Sequence, residues 1–337
     1  MAAAGRAEAT SKSLSRPDNG AVSQPGAGRG NGEGDSGDSR PETVDVAVWP
    51  MMIRDIDIKS NTYLMRAYVT FVWKGAIDPT ETVDFMNSVN TSSLRKVNGF
   101  SKPVMLPDGR SYQWLCIEGC FFVPFDLRCF PLDHHTLSLS LEDTTYSSKK
   151  ILYRFNSADS GIEPGLSIPG WSVGKWSGKS SIHSYHQDAS ASIVGSEFST
   201  LEFQVQVSRP ANMFIYRMLL PSLIILIFSW AALYLHPKLI ASRLAITGSS
   251  LMVTFIFQLA YFFNLPGVGY LVLMDKVFAI LYLLIIATLV QVILIERREK
   301  KNVADEYKFA RRLDKAGIVV QAFVFFCYLT CVILTAR

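Results

Sequence analysis

The run LLPSLIILIFSWAALYLHP, Leu219 to Pro237, lies in a stretch that carries no charged residue between Arg217 and Lys238. Its length, about twenty residues, is what a helix needs to cross roughly 30 Å of hydrocarbon. Three more stretches have the same character. Leu244 to Met274 is uncharged, with the turn signal NLPGVGY at Asn264–Tyr270 near its far end. Val277 to Ile295 lies between Lys276 and Glu296, and Ala316 to Ala336 between Lys315 and Arg337. Helices over about 213–236, 242–263, 272–296 and 314–336 are expected, joined at the third connection by a short loop, 297–313. That loop region is basic, with Arg297, Arg298, Lys300, Lys301, Lys308, Arg311 and Arg312, and the first connection carries Lys238 and Arg243. The connection after Pro266 has no basic residue before Lys276. Basic loops stay cytoplasmic, so everything before Arg209, and the C-terminus, is expected outside. A soluble four-helix core is excluded, because helices apolar all round have no face to offer water.

Upstream, Val44 to Val207 alternates with period two. Leu201, Phe203, Val205 and Val207 are interleaved with Glu202, Gln204 and Gln206, and Leu137, Leu139 and Leu141 with Ser138 and Ser140. Further strands are expected at Val46–Ile56, Tyr63–Trp73, Gln113–Val123, Lys150–Phe155 and Trp171–Trp176, with turns such as Pro107–Gly109 between them. Many short strands without helical periodicity define a sandwich or barrel. The fold class expected is therefore an antiparallel β-sandwich, residues 44–209, followed by a four-helix transmembrane bundle, 210–337. Residues 1–43 are Gly-, Ser-, Ala- and Pro-rich and offer no core, so a disordered tail is expected there. The tail has no central apolar run resembling a secretory signal, although the topology requires its end outside. The net charge of +4 is small, which argues against nucleic acid as a partner. Five cysteines, Cys116, Cys120, Cys129, Cys327 and Cys331, lack the spacing of a disulfide framework.

Several motifs, in order, resemble the Cys-loop superfamily of pentameric ligand-gated ion channels. VPFDLRCFPLDHHTLSLSLE, Val123–Glu142, is similar to the loop whose tip reads aromatic-Pro-aromatic-Asp, here Phe130, Pro131, Leu132 and Asp133. Val123 and Leu137 stand where animal receptors place the bridging cysteines, so the chain resembles the prokaryotic branch. Trp49–Val89 resembles the opening strands and first binding loop of that branch. Arg209 matches the Arg closing the last outer strand, Pro221 the Pro of the first span, and Arg243 with Leu265-Pro266, Tyr270 and Asp275 the ends of the pore helix and the loop after it.

The resemblance implies a homopentamer in lipid that passes inorganic ions and is opened by a small-molecule agonist or by protons. The lumen-facing positions would be Ala245, Ser249, Met252, Ile256, Leu259 and Phe263, with Met252 and Ile256 as the apolar constriction. A rival stripe, Thr247, Ser250, Thr254, Gln258 and Tyr261, is more polar and also helically spaced, and such residues serve equally to bond neighbouring helices. From Pro210 to Met274 there is no Asp or Glu, and Ala241-Ser242 stands where cation-selective relatives carry a carboxylate, which leans toward anions. The plain reading of Arg243 is a cytoplasmic anchor snorkelling to headgroups. Gating residues would be Phe130, Pro131, Asp133, Arg209, Pro266 and Tyr270, with Asp133 and Arg209 as a charge pair. Ligand-binding candidates are Phe85, Asn87, Tyr146, Tyr185 and His186, with Glu142 and Asp143 as nearby acids; ordinary loop packing accounts equally for each.

His134-His135 beside Cys129, with Cys116 and Cys120, has metal-ligand types, but adjacent strand residues face opposite ways, so no metal or other cofactor is expected. His183 and His186 are of the type that senses protons near neutral pH. Asn90-Thr91-Ser92 fits the glycosylation pattern. No Gly-rich phosphate loop, nucleophile elbow or zinc motif supports an enzyme. The stronger rival is a poreless membrane-anchored binding protein.

Overall fold

A computed structural model describes residues 40–185, 197–263, 265–299 and 304–335. Among the described residues, ten strands precede the four long helices. One sheet runs in the order β4 (Arg95–Asn98), β6 (Ser111–Phe122), β2 (Thr62–Trp73), β1 (Glu42–Asp57), β8 (Ile151–Phe155), with β5 (Val104–Met105) also on β6. The second runs β3 (Val83–Phe85), β7 (His134–Asp143), β10 (Glu197–Ser208), β9 (Ser172–Ser184). Pairing is antiparallel except between β1 and β8.

The alternation seen in the sequence sets the register. Leu201, Phe203 and Val205 of β10 lie opposite Leu141, Leu139 and Leu137 of β7, and all six are fully buried. Tyr63, Met65, Ala67, Val69 and Phe71 of β2 line the facing sheet and are equally buried. A one-residue slip would turn the apolar row outward, which is why this register is well specified. Strand β1 carries Pro50 at a register shift, the place in a ladder where a missing N–H is tolerated. Strand β9 extends to Ser184, well past the expected Trp176, with most of its residues exposed, so it offered little alternation to read. The short strands β3, β4 and β5 carry too few residues to show a period.

Four helices follow, each long and apolar enough to cross a membrane: Ala211–Tyr234, Ile240–Phe262, Leu273–Glu299 and Ala304–Thr335. The first contains a π turn at Ile215–Leu219, just before Pro221. Pro221 has no N–H to return to the preceding turn, and the Leu220 N–H reaches back five residues to the Ile215 carbonyl. The fourth helix starts ten residues before the expected 314, and the third runs to Glu299, so most of the expected loop 297–313 is helical. Hydropathy marks where lipid begins, whereas these helices continue into their polar flanks.

The end of the bundle where the first helix gives way to the second is tied by charge. Arg243 is not a snorkelling anchor: its side chain is fully buried, its Nη2 lies 2.7 Å from Oδ1 of Asp314 on the fourth helix, and its Nε donates to the Ala232 carbonyl of the first. Gln291 of the third helix donates to Asp314 Oδ1 and to the Leu313 carbonyl, and Arg311 donates to the Tyr234 carbonyl. Two turns further along, the Gln321 side-chain oxygen accepts from Trp230 Nε1 and Thr288 Oγ1. All four helices meet at the first of these stations, and the first, third and fourth meet at the second. Removing one member of a buried ion pair strands the other charge, typically at about 3–5 kcal/mol. Asp314→Ala should therefore sharply lower the thermal unfolding midpoint of the purified chain, while Arg243→Met combined with Asp314→Leu should recover most of the loss. Equal midpoints for Asp314→Ala and the unmodified chain would show that the pair holds nothing.

Candidate functional site

The junction between sheets and helices is built on Asp133 and Arg209. Arg209 is the residue after β10, immediately before Pro210 and the first helix. Its backbone N–H donates to the Asp133 carbonyl, and its Nε lies 2.9 Å from Asp133 Oδ1, an ion-pair approach without hydrogen-bond alignment. The guanidinium stands 4.2 Å from the Trp171 ring centre and 4.8 Å from that of Phe130. Ring faces attract a cation, so Arg209 is held by one carboxylate and two π systems. The Asp133 carboxylate is almost fully buried, and its Oδ2 lies 2.5 Å from Nε2 of His135, itself buried.

Contacts radiate from this pair to the helices. Phe130, followed by the cis peptide to Pro131, packs its ring 5.7 Å from that of Tyr261 on the second helix. The Tyr270 hydroxyl accepts from the Leu127 N–H, and the Leu273 N–H donates to the Arg128 carbonyl. From the β1–β2 turn, Lys59 Nζ donates to the Phe263 carbonyl. Asn61 in that turn has φ of 57°, a conformation Asn tolerates, and joins the loop after β6 through its carbonyl to Val123 N–H and its side chain to Phe125 N–H. Phe130, Asp133, Arg209 and Tyr270 thus converge. Pro266 is partly exposed in the loop between the second and third helices.

The second helix has two faces. Thr247, Ser250 and Thr254 are fully buried against their own subunit and donate back to the Arg243, Ile246 and Ser250 carbonyls. Tyr261 is buried as well, and Gln258 accepts from the Tyr282 hydroxyl of the third helix. Ala245, Ser249, Met252, Ile256, Leu259 and Phe263 are all exposed on the single chain, Met252 at 63% and Phe263 at 66%.

In the β-sheet domain the ligand candidates separate. Phe85 is a core residue with the Lys96 ammonium over its ring, and the Asn87 amide is spent on the Phe122 and Ser138 carbonyls and the Ser140 N–H. Neither offers a free polar group or ring face to a ligand. Tyr146 is half-buried beneath the Lys150 ammonium, on a turn that Asp143 organises by accepting the Thr145 and Tyr146 N–H groups. Tyr185 donates to Glu142 Oε1 at 2.9 Å, and Thr200 and His183 reach Oε2 at 3.0 and 3.2 Å. Burial, together with the Glu142 carboxylate, raises the Tyr185 hydroxyl pKa above its ordinary value. His186 lies outside the described residues. Asp143 accepts from the Tyr153 and Thr82 hydroxyls inside the domain and has no exposure.

A second cleft went unremarked in the sequence. Arg66 and Tyr68 of β2, Arg95 and Val97 of β4, and Trp114, Cys116 and Glu118 of β6 line a pocket of about 200 Å³ on the outward face of the first sheet. Its signal was the polar half of the alternation, Arg66 and Tyr68 between buried Met65, Ala67 and Val69. His134 and His135 diverge, the first exposed and the second buried.

A β-sheet domain joined through a charged, aromatic junction to four membrane helices is the build of an integral membrane receptor. No protein-family model matches the chain. It is 21% identical over 268 residues to a proton-gated ion channel of Gloeobacter violaceus, covering 75% of this chain and 72% of that protein. It is 22% identical over 210 residues to the gamma-aminobutyric acid receptor subunit alpha-2 of Bos taurus, and 20% over 210 residues to a gamma-aminobutyric acid receptor subunit beta of Caenorhabditis elegans. The alignment spans 44% and 36% of those two relatives. The chain is thus similar to proteins named as ion channels and receptor subunits, and none of these relatives is named as an enzyme.

Replacing the planar guanidinium at the junction should separate charge from stacking. In a double-mutant cycle of Arg209→Lys with Trp171→Leu, read by thermal unfolding, the coupling should be roughly 0.5–2 kcal/mol. Additive effects would mean that the ring carries none of the cation.

Proposed function

We propose that the chain is a subunit of a homopentameric channel in the plasma membrane, with its sheets and C-terminus outside and its pore lined by the second helix. The observation that supports this reading best is the division of that helix. Its hydroxyl-bearing stripe is satisfied within the subunit, and the stripe Ala245, Ser249, Met252, Ile256, Leu259 and Phe263 is left without cover. Five copies turning this face to an axis would set a polar Ser249 ring below an apolar constriction at Met252 and Ile256.

Selectivity leans to anions. No carboxylate stands between Pro210 and Met274, which carries the lean; Arg243, paired with Asp314 inside the bundle, adds nothing to it. The agonist site lies on the outer domain around Glu142, with the Tyr185, His183 and Tyr146 rings beside it. A carboxylate held by three donors among aromatic rings suits a small ligand bearing an amine. The pocket with Arg66, Arg95, Tyr68 and Trp114, on the other sheet, would supply the opposite wall from an adjacent copy. Gating passes through the Asp133–Arg209 junction to Tyr261 and the loop carrying Pro266 and Tyr270. The proton-gated relative gives a second reading in which protons act as the agonist or beside it.

Voltage clamp of cells expressing the chain tests the pore. Met252→Ser should enlarge the current or make it leaky while small amines and amino acids are applied, and the reversal potential should follow the chloride gradient. Reversal that follows the cations would overturn the anion reading, and silence from a surface-expressed oligomer would return it to a poreless binding protein. Glu142→Gln should raise the half-activating concentration of an amine agonist by roughly tenfold, the effect of about 1.4 kcal/mol. An unchanged concentration would move the agonist elsewhere.

A further inference from the structure

His135 is a buried titratable group at the junction that the motif resemblance does not account for. It lies on β7 opposite Val207 of β10, and its side chain is only 4% exposed. The Phe125 ring packs on it at 4.8 Å and the Trp171 ring at 5.6 Å, the latter being the ring that also carries Arg209. Neither ring contributes charge. The charged groups facing it are Asp133, directly bonded, and Arg209, which shares that carboxylate. A pocket of about 270 Å³ borders His135, lined also by Thr136, Gly174, Gln206 and Ser208, with exposed His134 as the other titratable residue on its wall. Tyr261 reaches the cluster through the Phe130 ring.

We propose that His135 binds a proton that redistributes Asp133 between its two partners and thereby sets how firmly the sheets grip the first helix. The inference rests on the channel reading above and adds its regulation. The chemistry is as follows. A carboxylate can only accept, so a neutral ring bonded to Asp133 Oδ2 donates its Nε2–H and leaves Nδ1 without a proton. A hydronium ion reaching the adjoining pocket transfers its proton to Nδ1: an N–H bond forms as one O–H bond of the hydronium breaks, leaving water. The carboxylate then faces two cations instead of one, and the cluster of Asp133, Arg209 and His135 passes from neutral to a single positive charge. Each cation holds the shared carboxylate less strongly than it would alone, and in a buried setting that change is poorly screened. Arg209 keeps its two ring contacts but loses part of its ionic hold. Because Arg209 directly follows β10 and Asp133 sits three residues from Phe130 on Tyr261, the change acts on both routes from sheets to helices.

Two measurements on the full chain test this, one of them independent of conduction. An imidazolium quenches a neighbouring indole, so in lipid nanodiscs the tryptophan emission of the unmodified chain should show a step between about pH 5 and 8. The step should vanish in His135→Gln and in Trp171→Phe and persist in His134→Gln. In voltage clamp, the half-activating agonist concentration, or the proton response itself if protons are the agonist, should shift about fivefold or more between pH 8 and 5.5. That shift should collapse in His135→Gln. His135→Asn supplies the same test if the Gln variant fails to reach the surface. A missing emission step overturns the proton site. A step without loss of the pH shift in the variant overturns its link to gating. No current from any surface-expressed form ends the channel reading and the gating half of the proposal with it, while the emission step still decides the protonation.

Discussion

Arg209 stands where an extended strand becomes a membrane helix, and one carboxylate decides how that corner is held. A guanidinium at this depth is tolerable only because Asp133 supplies charge and Trp171 with Phe130 supply ring faces. The same Asp133 belongs to the loop that places Phe130 against Tyr261 and Leu127 against Tyr270. The sheets and the helices are each stable by their own rules, one by cross-strand apolar rows and the other by hydrocarbon. The geometry between them depends on a few polar groups that neither rule specifies.

The second helix shows how burial sorts like residues into unlike tasks. Its threonines and serines at 247, 250 and 254 look in sequence like a hydrophilic lining, yet each hydroxyl closes on the carbonyl four residues back. That bonding satisfies the group in a low-dielectric interior without any water. The face left over is mostly apolar. Polarity alone would choose the face that is buried within the subunit, and helical register relative to fixed ends at Arg243 and Pro266 chooses the face that is uncovered.

The spans and the sandwich were legible because they are written in local periods: charge-free runs of bilayer length and strict alternation in β2, β7 and β10. The junction was legible only through motif order, which pairs Asp133 with Arg209 across a separation that no periodicity reaches. What stayed hidden shares one property. Arg243 and Asp314 are 71 residues apart and Glu142 and Tyr185 are 43 apart, so their pairing exists only after folding. Phe85 and Asn87 were drawn into the ligand list by loop position, but packing claimed the ring and strand carbonyls claimed the amide. The early start of the fourth helix escaped because its first turns are polar.

The fourth helix carries Asp314 and Gln321 seven residues apart, two turns on one face, each bonded to other spans. A helix pinned at two such points is keyed against rotation about its own axis, as a shaft is by a spline. Tilt remains available, and tilt is what a bilayer of changing thickness imposes on a span. Since one of the two pins is Arg243 of the second helix, a change in tilt of the fourth helix bears directly on the helix that carries Met252.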